Sequence, residues 1–140
     1  MTNIVEEKEP AGERPGFVSL WVGRFSGDEE LGRYTEFTYD EDGESVLPAF
    51  CSDFGIGWFD EDFFEAYLVE DETSSPADLL EGCSYDEQII PAFEALGLPE
   101  ENDWNTVVLL YDFVYPLRYR GKSAASGTNR LVFAGMAEYE

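Results

Sequence analysis

The ten residues TVVLLYDFVY at 106–115 carry a single charge, Asp112, among β-branched, aliphatic and aromatic side chains. That composition predicts a strand. Successive side chains of a strand point to opposite faces, so a run that is apolar at nearly every step needs cover on both faces and belongs inside a sheet. A chain of 140 residues with 44% apolar side chains can build one core around such a strand and is too short for two comfortable domains.

Other segments supply partners for it. FVSLWVGRF at 17–25 reads as a strand, with Phe17, Leu20, Trp21 and Phe25 available for burial, and LVFAGMAEY at 131–139 reads as a final strand. Ser26 is placed to cap a short helix in which Asp28, Glu29 and Glu30 complement the positive helix end and Leu31, Tyr34 and Phe37 form an apolar edge. Pro48 suits the start of a second helix through Phe54, which Gly55 ends. Ser75 and Pro76 open a third over 77–81, and Ser84 is placed to cap a fourth carrying Ile89, Ile90, Phe93 and Leu96 until Gly97, with Pro91 predicting a kink or a break. The expected fold class is α+β, a mainly antiparallel sheet with two or three helices packed on it. Residues 1–16, rich in Pro, Gly and charge, are expected to be a flexible N-terminal tail, and 17–140 a single domain.

The middle of the chain raises a different question. WFDEDFFEAY at 58–67 sets five aromatic rings around four carboxylates with no base. Residues 63–70 fit alternation, with Phe63, Glu65, Tyr67 and Val69 on one face and Phe64, Ala66, Leu68 and Glu70 on the other; a helix from Asp60 is the competing reading. Flanking Gly55, Gly57 and the polar cluster at 71–76 favour the strand. Asp60, Glu61 and Asp62 are then expected in the turn that feeds it, held outward by burial of Trp58, Phe59, Phe63 and Phe64.

Charge narrows the classes of function. The formal net charge is −23, and residues 28–72 hold sixteen acids against one base, Arg33. Nucleic acid and anionic membrane are therefore excluded as expected ligands, and a basic protein is the natural complement. Arg118, Arg120, Lys122 and Arg130 lie in a stretch, 113–137, that has no acid; this arm reads either as a second contact surface or as a cover for the protein's own acidic face.

Catalytic and metal signatures are weak. The chain has no histidine, and Cys51 and Cys83 have no zinc-type spacing. Cys51 reads as a small core residue. Aligning Gly43 with the sixth position of a calcium loop puts Asp40 and Asp42 at the third and fifth, but Thr38 and Ala49 at the first and twelfth, so two required ligands are missing. RGKS at 120–123 lacks the upstream glycine of a phosphate-binding loop, which would fall at Pro116. Asp60, Asp62 and Glu65 as an acid–base or magnesium site lack any accompanying nucleophile or oxyanion holder. No enzyme activity and no cofactor are expected. The opening residues have no apolar core of a signal peptide and no run approaches a membrane span, so a cytoplasmic protein is expected.

The run FVSLWVGRF with the following DEEL at 28–31, AFCSDFGI at 49–56, FDEDFFE at 59–65, LLYDFVY at 109–115 and FAG at 133–135 together resemble the immunity protein 22 family over about residues 17–139. The resemblance implies an α+β antitoxin of a bacterial polymorphic toxin system, which protects the producing cell by binding a cognate toxin domain, often a nuclease. Trp21 then belongs to the core. The partner-binding residues expected on charge and exposure are Asp60, Glu61, Asp62 and Glu65, with Asp40 and Asp42 of the neighbouring acidic turn. The partner would be a basic, nuclease-like toxin domain, and the immunity protein a monomer or a homodimer. An acidic DNA mimic that sequesters a basic nucleic-acid-binding protein is the alternative.

Overall fold

The structure, a computed structural model, describes residues 11–100 and 103–140; most of the expected N-terminal tail, residues 1–10, lies outside them. Strand β1 spans Gly12–Arg24, helix α1 Asp28–Thr35, and β2 (Thr38–Tyr39) and β3 (Ser45–Val46) form a small hairpin before α2 (Ala49–Phe54). A 3-10 turn at Glu61–Phe63 feeds β4 (Phe64–Thr73). Helices α3 (Pro76–Leu80) and α4 (Asp86–Leu96) precede β5 (Trp104–Val114), and a second 3-10 turn at Leu117–Tyr119 leads to β6 (Ser123–Ser126) and β7 (Asn129–Glu138). The main sheet has the order β4-β5-β1-β7-β6, and every neighbouring pair is antiparallel.

Both faces of this sheet are covered. Val18, Leu20 and Val22 of β1, Val107, Leu109 and Tyr111 of β5, and Val132 and Ala134 of β7 pack with Leu79, Leu80, Ile89 and Phe93 from α3 and α4. On the opposite face Trp21, Val108, Leu110, Phe113, Leu131 and Phe133 pack with Leu31, Tyr34, Phe50, Cys51 and Phe54 from α1 and α2. The near-continuous apolar pattern of β5 is thus explained by two separate cores, each with its own helix pair. Trp21 anchors the second core: its ring lies 4.9 Å from Phe50 and 5.2 Å from Phe133, centroid to centroid. Cys51 and Cys83 are buried and free.

Several local expectations need correction. Strand β1 begins at Gly12, not Phe17. Gly12 and Glu13 pair with Val114 and Phe113 beyond a bulge, and the chain crosses that bulge with Gly16 at φ 86° donating its N–H to Asp112 Oδ1 at 2.8 Å. Helix α1 ends at Thr35, so Phe37 packs outside it against Phe59, at 5.0 Å. Ser26 does not cap α1; Gly27 occupies that position, and the Ser26 hydroxyl donates to Glu30 instead. Ser75 does cap α3, accepting from Asp78 N. Helix α4 is one uninterrupted helix through Pro91, which removes one internal donor without dividing it.

The ladder between β1 and β5 is reinforced by one buried hydroxyl. Ser19 Oγ donates to Phe113 O at 2.9 Å and accepts from Tyr115 N at 2.8 Å. Close approach also fixes Gly23, because a Cβ there would stand 2.2 Å from Arg130 O across the β1–β7 ladder. In urea denaturation, Trp21→Ala is expected to cost about 3–5 kcal/mol, whereas Trp58→Ala, removing a ring that is 53% exposed, should change stability by less than about 0.5 kcal/mol. Gly23→Ala should destabilise by at least about 1–3 kcal/mol, since the obstacle is backbone rather than a movable side chain.

Candidate functional site

Helix α2 stops at Gly55 in the left-handed conformation, φ 69°, and the chain then runs without regular structure to the 3-10 turn before β4. Ile56 and Phe59 turn inward, and Phe59 stacks on Phe64 with ring centroids 5.0 Å apart. Asp60 Oδ1 accepts from Asp62 N at 2.9 Å and Asp60 O from Phe63 N at 3.0 Å, which closes the 3-10 turn. Glu61 and Asp62 project from it into solvent.

The rings do not behave as a set. Phe59 is buried and Phe64 half-buried, but Trp58 is 53% and Phe63 42% exposed. The expectation that all four anchor the acids is therefore corrected: Phe59 and Phe64 hold the turn, and Trp58 and Phe63 stand outside with the carboxylates. Two of the carboxylates also have structural work. Asp60 caps the turn, and Glu65, on β4, accepts from Ser84 N at 3.2 Å and from the Ser84 hydroxyl. That bond explains why Ser84 is not the cap of α4. Tyr85 takes the cap position, in the left-handed region at φ 61°.

Beside this turn lies a pocket of about 230 Å³ lined by Asp62, Phe63, Glu65, Tyr85, Asp112 and Tyr139, among others. Its tyrosines are mutually packed. Tyr85 meets Tyr139 edge-on at 4.7 Å and Tyr111 at 5.9 Å, and Tyr111 meets Tyr139 at 5.3 Å. Tyr111 donates to Ser84 O at 2.5 Å, and Tyr139 donates to Asp112 Oδ1 at 2.6 Å. Asp112, like Tyr85, has positive φ, 53°. Backbone held in this region by two non-glycine residues costs free energy and is retained where neighbours over-determine it. Reading the sequence did not single out Tyr85, Tyr111, Asp112 or Tyr139, because 46 residues separate Glu65 from Tyr111, and only the sheet register brings β4 and β5 together.

Asp40 and Asp42 sit on the β2–β3 hairpin. Asp40 Oδ1 accepts from Asp42 N at 2.9 Å and Glu44 N at 3.0 Å, so its carboxylate shapes the turn while Asp42 points outward. Tyr39 (68% exposed), Val46 and Leu47 add exposed apolar surface to the same hairpin. Its base meets the acidic turn through Phe37 on Phe59. The described acids include no group of three or more, alone or with cysteine, arranged to hold a metal ion, and no described helix is long and apolar enough to cross a membrane.

The basic arm is largely engaged elsewhere. Arg120 donates to Ala134 O at 2.8 Å, Leu96 O at 2.9 Å and Gly97 O at 2.5 Å, capping the C-terminus of α4. Arg130 makes a two-pronged pair with Glu100, at 3.0 and 2.5 Å, and lies 5.9 Å from the Trp104 ring. Neither lies across the acidic turn. Lys122 sits 5.5 Å from the Tyr119 ring, in a separate cavity of about 300 Å³ that includes Arg118 and Tyr115. A wider cavity of about 450 Å³, between α1 and the β6–β7 turn, is lined by Glu30, Arg33, Tyr34 and Asn129. The one ring in its lining, that of Tyr34, is buried, and Glu30 inside it is already taken by Ser26 and Asn129.

A family model described as Immunity protein 22 matches residues 18–140. No curated protein and no solved structure matches the chain.

Burial gives the tyrosines of this region a readable titration. Desolvation, then hydrogen bonding to the Cys83 thiol, raises Tyr67 well above the usual phenol value; desolvation and the Glu65 charge raise Tyr111; desolvation and the Asp112 carboxylate raise Tyr139. Tyr34 is raised by desolvation and Asp53, and burial pushes Tyr115 up to about 12. The Cys83 thiol is likewise pushed up to about 11 by burial, which keeps it protonated and unreactive at neutral pH. A phenol whose folded pKa lies above its unfolded value contributes stability that is complete below the unfolded pKa, near 10, and is lost as pH rises through the folded one. Stability should therefore fall with pH above about 10. In an alkaline titration followed at the phenolate absorbance band, these five tyrosines should ionise together with loss of the fold; ionisation of all eight as ordinary phenols in the folded protein would contradict the burial.

Proposed function

Because the chain belongs to the Immunity protein 22 family, we propose that it neutralises its cognate toxin domain by docking the face formed by the acidic turn at 60–62, its flanking rings and the outward acids of the β2–β3 hairpin. The family implies an antitoxin role, one of binding rather than catalysis. The observation that carries the proposed face is the exposure of Trp58 and Phe63 on either side of Glu61 and Asp62. Aromatic side chains set among charges are the composition of interface hot spots, where a ring fills a pocket in the partner and the surrounding polar groups exclude water.

The partner is a toxin domain whose working cleft is basic, as a nuclease's is because it must hold phosphates. Complementary potentials would accelerate encounter and reject wrong partners, and the capped turn would present its carboxylates without an ordering cost. Exposed rings favour one selective partner over general mimicry of DNA charge, which needs carboxylates alone. Asp60 and Glu65 contribute mainly by shaping the surface, and Glu61, Asp62 and Asp42 by charge.

The paired variant Glu61→Lys with Asp62→Lys keeps the Asp60 cap and should abolish protection of cells that express the toxin while leaving the melting temperature unchanged. Trp58→Ala should weaken toxin binding by about 30-fold or more, the effect of a hot-spot ring. Full protection by the paired variant, together with unchanged affinity for Trp58→Ala, would place the interface on another face.

A further inference from the structure

The pocket between β4, the α4 cap and the end of β7 has a chemistry of its own. Its lining includes four carboxylates, those of Asp62, Glu65, Asp112 and Glu140, and no base. It also includes the rings of Phe63, Tyr85 and Tyr139, of which Phe63 and Tyr85 are 42% and 49% exposed. Asp112 uses one carboxylate oxygen, Oδ1, for both Gly16 N and the Tyr139 hydroxyl. Tyr85 is held in place by its left-handed backbone and by its edge-on packing against Tyr139. The volume, about 230 Å³, is below the roughly 300–1,000 Å³ of pockets that enclose drug-sized ligands. It is the size for one side chain.

We infer that this pocket is a socket for the guanidinium group of one arginine side chain of the toxin. The inference rests on the docking face proposed above and adds to it the kind of residue the toxin inserts. Three features select that group. A ring face offered beside carboxylates attracts a cation by its quadrupole as well as by charge. A planar guanidinium stacks on such a ring and donates in a fork to carboxylate oxygens, which a compact, strongly hydrated ammonium cannot do. The ring cluster is prepacked, so the socket exists before the partner arrives and little side-chain entropy is lost on binding.

The probe is N-acetyl-L-arginine amide, titrated at constant ionic strength into the full chain with labelled phenylalanine and tyrosine rings and followed by NMR. The expected result is a saturable shift of the Tyr85, Tyr139 and Phe63 ring signals. N-acetyl-L-citrulline amide, the uncharged isostere, should give none, and N-acetyl-L-lysine amide should bind at least about threefold more weakly. Tyr85→Ala should remove the saturable response and Tyr85→Phe, which keeps the ring, should retain it. A response shared by the citrulline compound, equal binding of the lysine compound, or unsaturated drift spread over the Phe37 and Tyr39 rings beside the acidic hairpin would overturn the assignment. Trp58 and Glu61 do not line the pocket. Loss of protection on changing them alongside a silent pocket would thus remove the socket and leave the docking face, whereas a responsive pocket alongside full protection by the Trp58 and Glu61 variants would do the reverse.

Discussion

Strands β1 and β5 are apolar on both sides, and neither face of the sheet they form tolerates water. From this requirement the rest of the architecture follows. One helix pair must cover each face, so the connections alternate: α1 and α2 return over the Trp21 face, α3 and α4 over the Val107 face. With its interior committed to hydrocarbon, the protein buries none of its described acids, which lie in turns, on helices and along sheet margins or strand ends. The acidic turn at 60–62 is one such margin. It lies where the chain leaves one layer and enters the edge strand β4, and buried Phe59 fixes its position.

Charge at that density repels itself, and several of the described carboxylates are held by hydrogen bonds and not by ion pairs. Asp40, Asp60, Glu65 and Asp112 all accept from backbone N–H groups or hydroxyls, which hold a carboxylate without a cation. Arg120 and Arg130, two of the eight bases, are directed to a helix terminus and to Glu100 rather than to the acidic turn.

Much of the fold was legible because it rests on local patterns. The strands at 106–115 and 131–139, the Ser75 cap, the Gly55 and Gly97 stops and the burial of Trp21 all follow from periodicity and backbone preference. What was not legible depends on contacts distant in sequence. Ser84 has the makings of a helix cap, yet its N–H and hydroxyl go to Glu65, nineteen residues away. Gly12–Gly16 look like a tail until Asp112, ninety-six residues on, accepts the Gly16 N–H. Trp58 and Phe59 are neighbours of like character, and in a chain segment outside any regular element no period says which one turns inward. The acids of the candidate site were visible as a cluster; the tyrosines beside them were not, because they come from the α4 cap, β5 and the residue that follows β7.

The division among the tryptophans also makes the protein its own optical sensor. Trp21 and Trp104 are wholly buried and Trp58 is half in water. A quencher confined to water, such as caesium, reaches one indole of the three. The long-wavelength edge of the emission thus belongs to a single residue standing at the rim of the acidic turn, and it reports what covers that turn without any label attached to the chain.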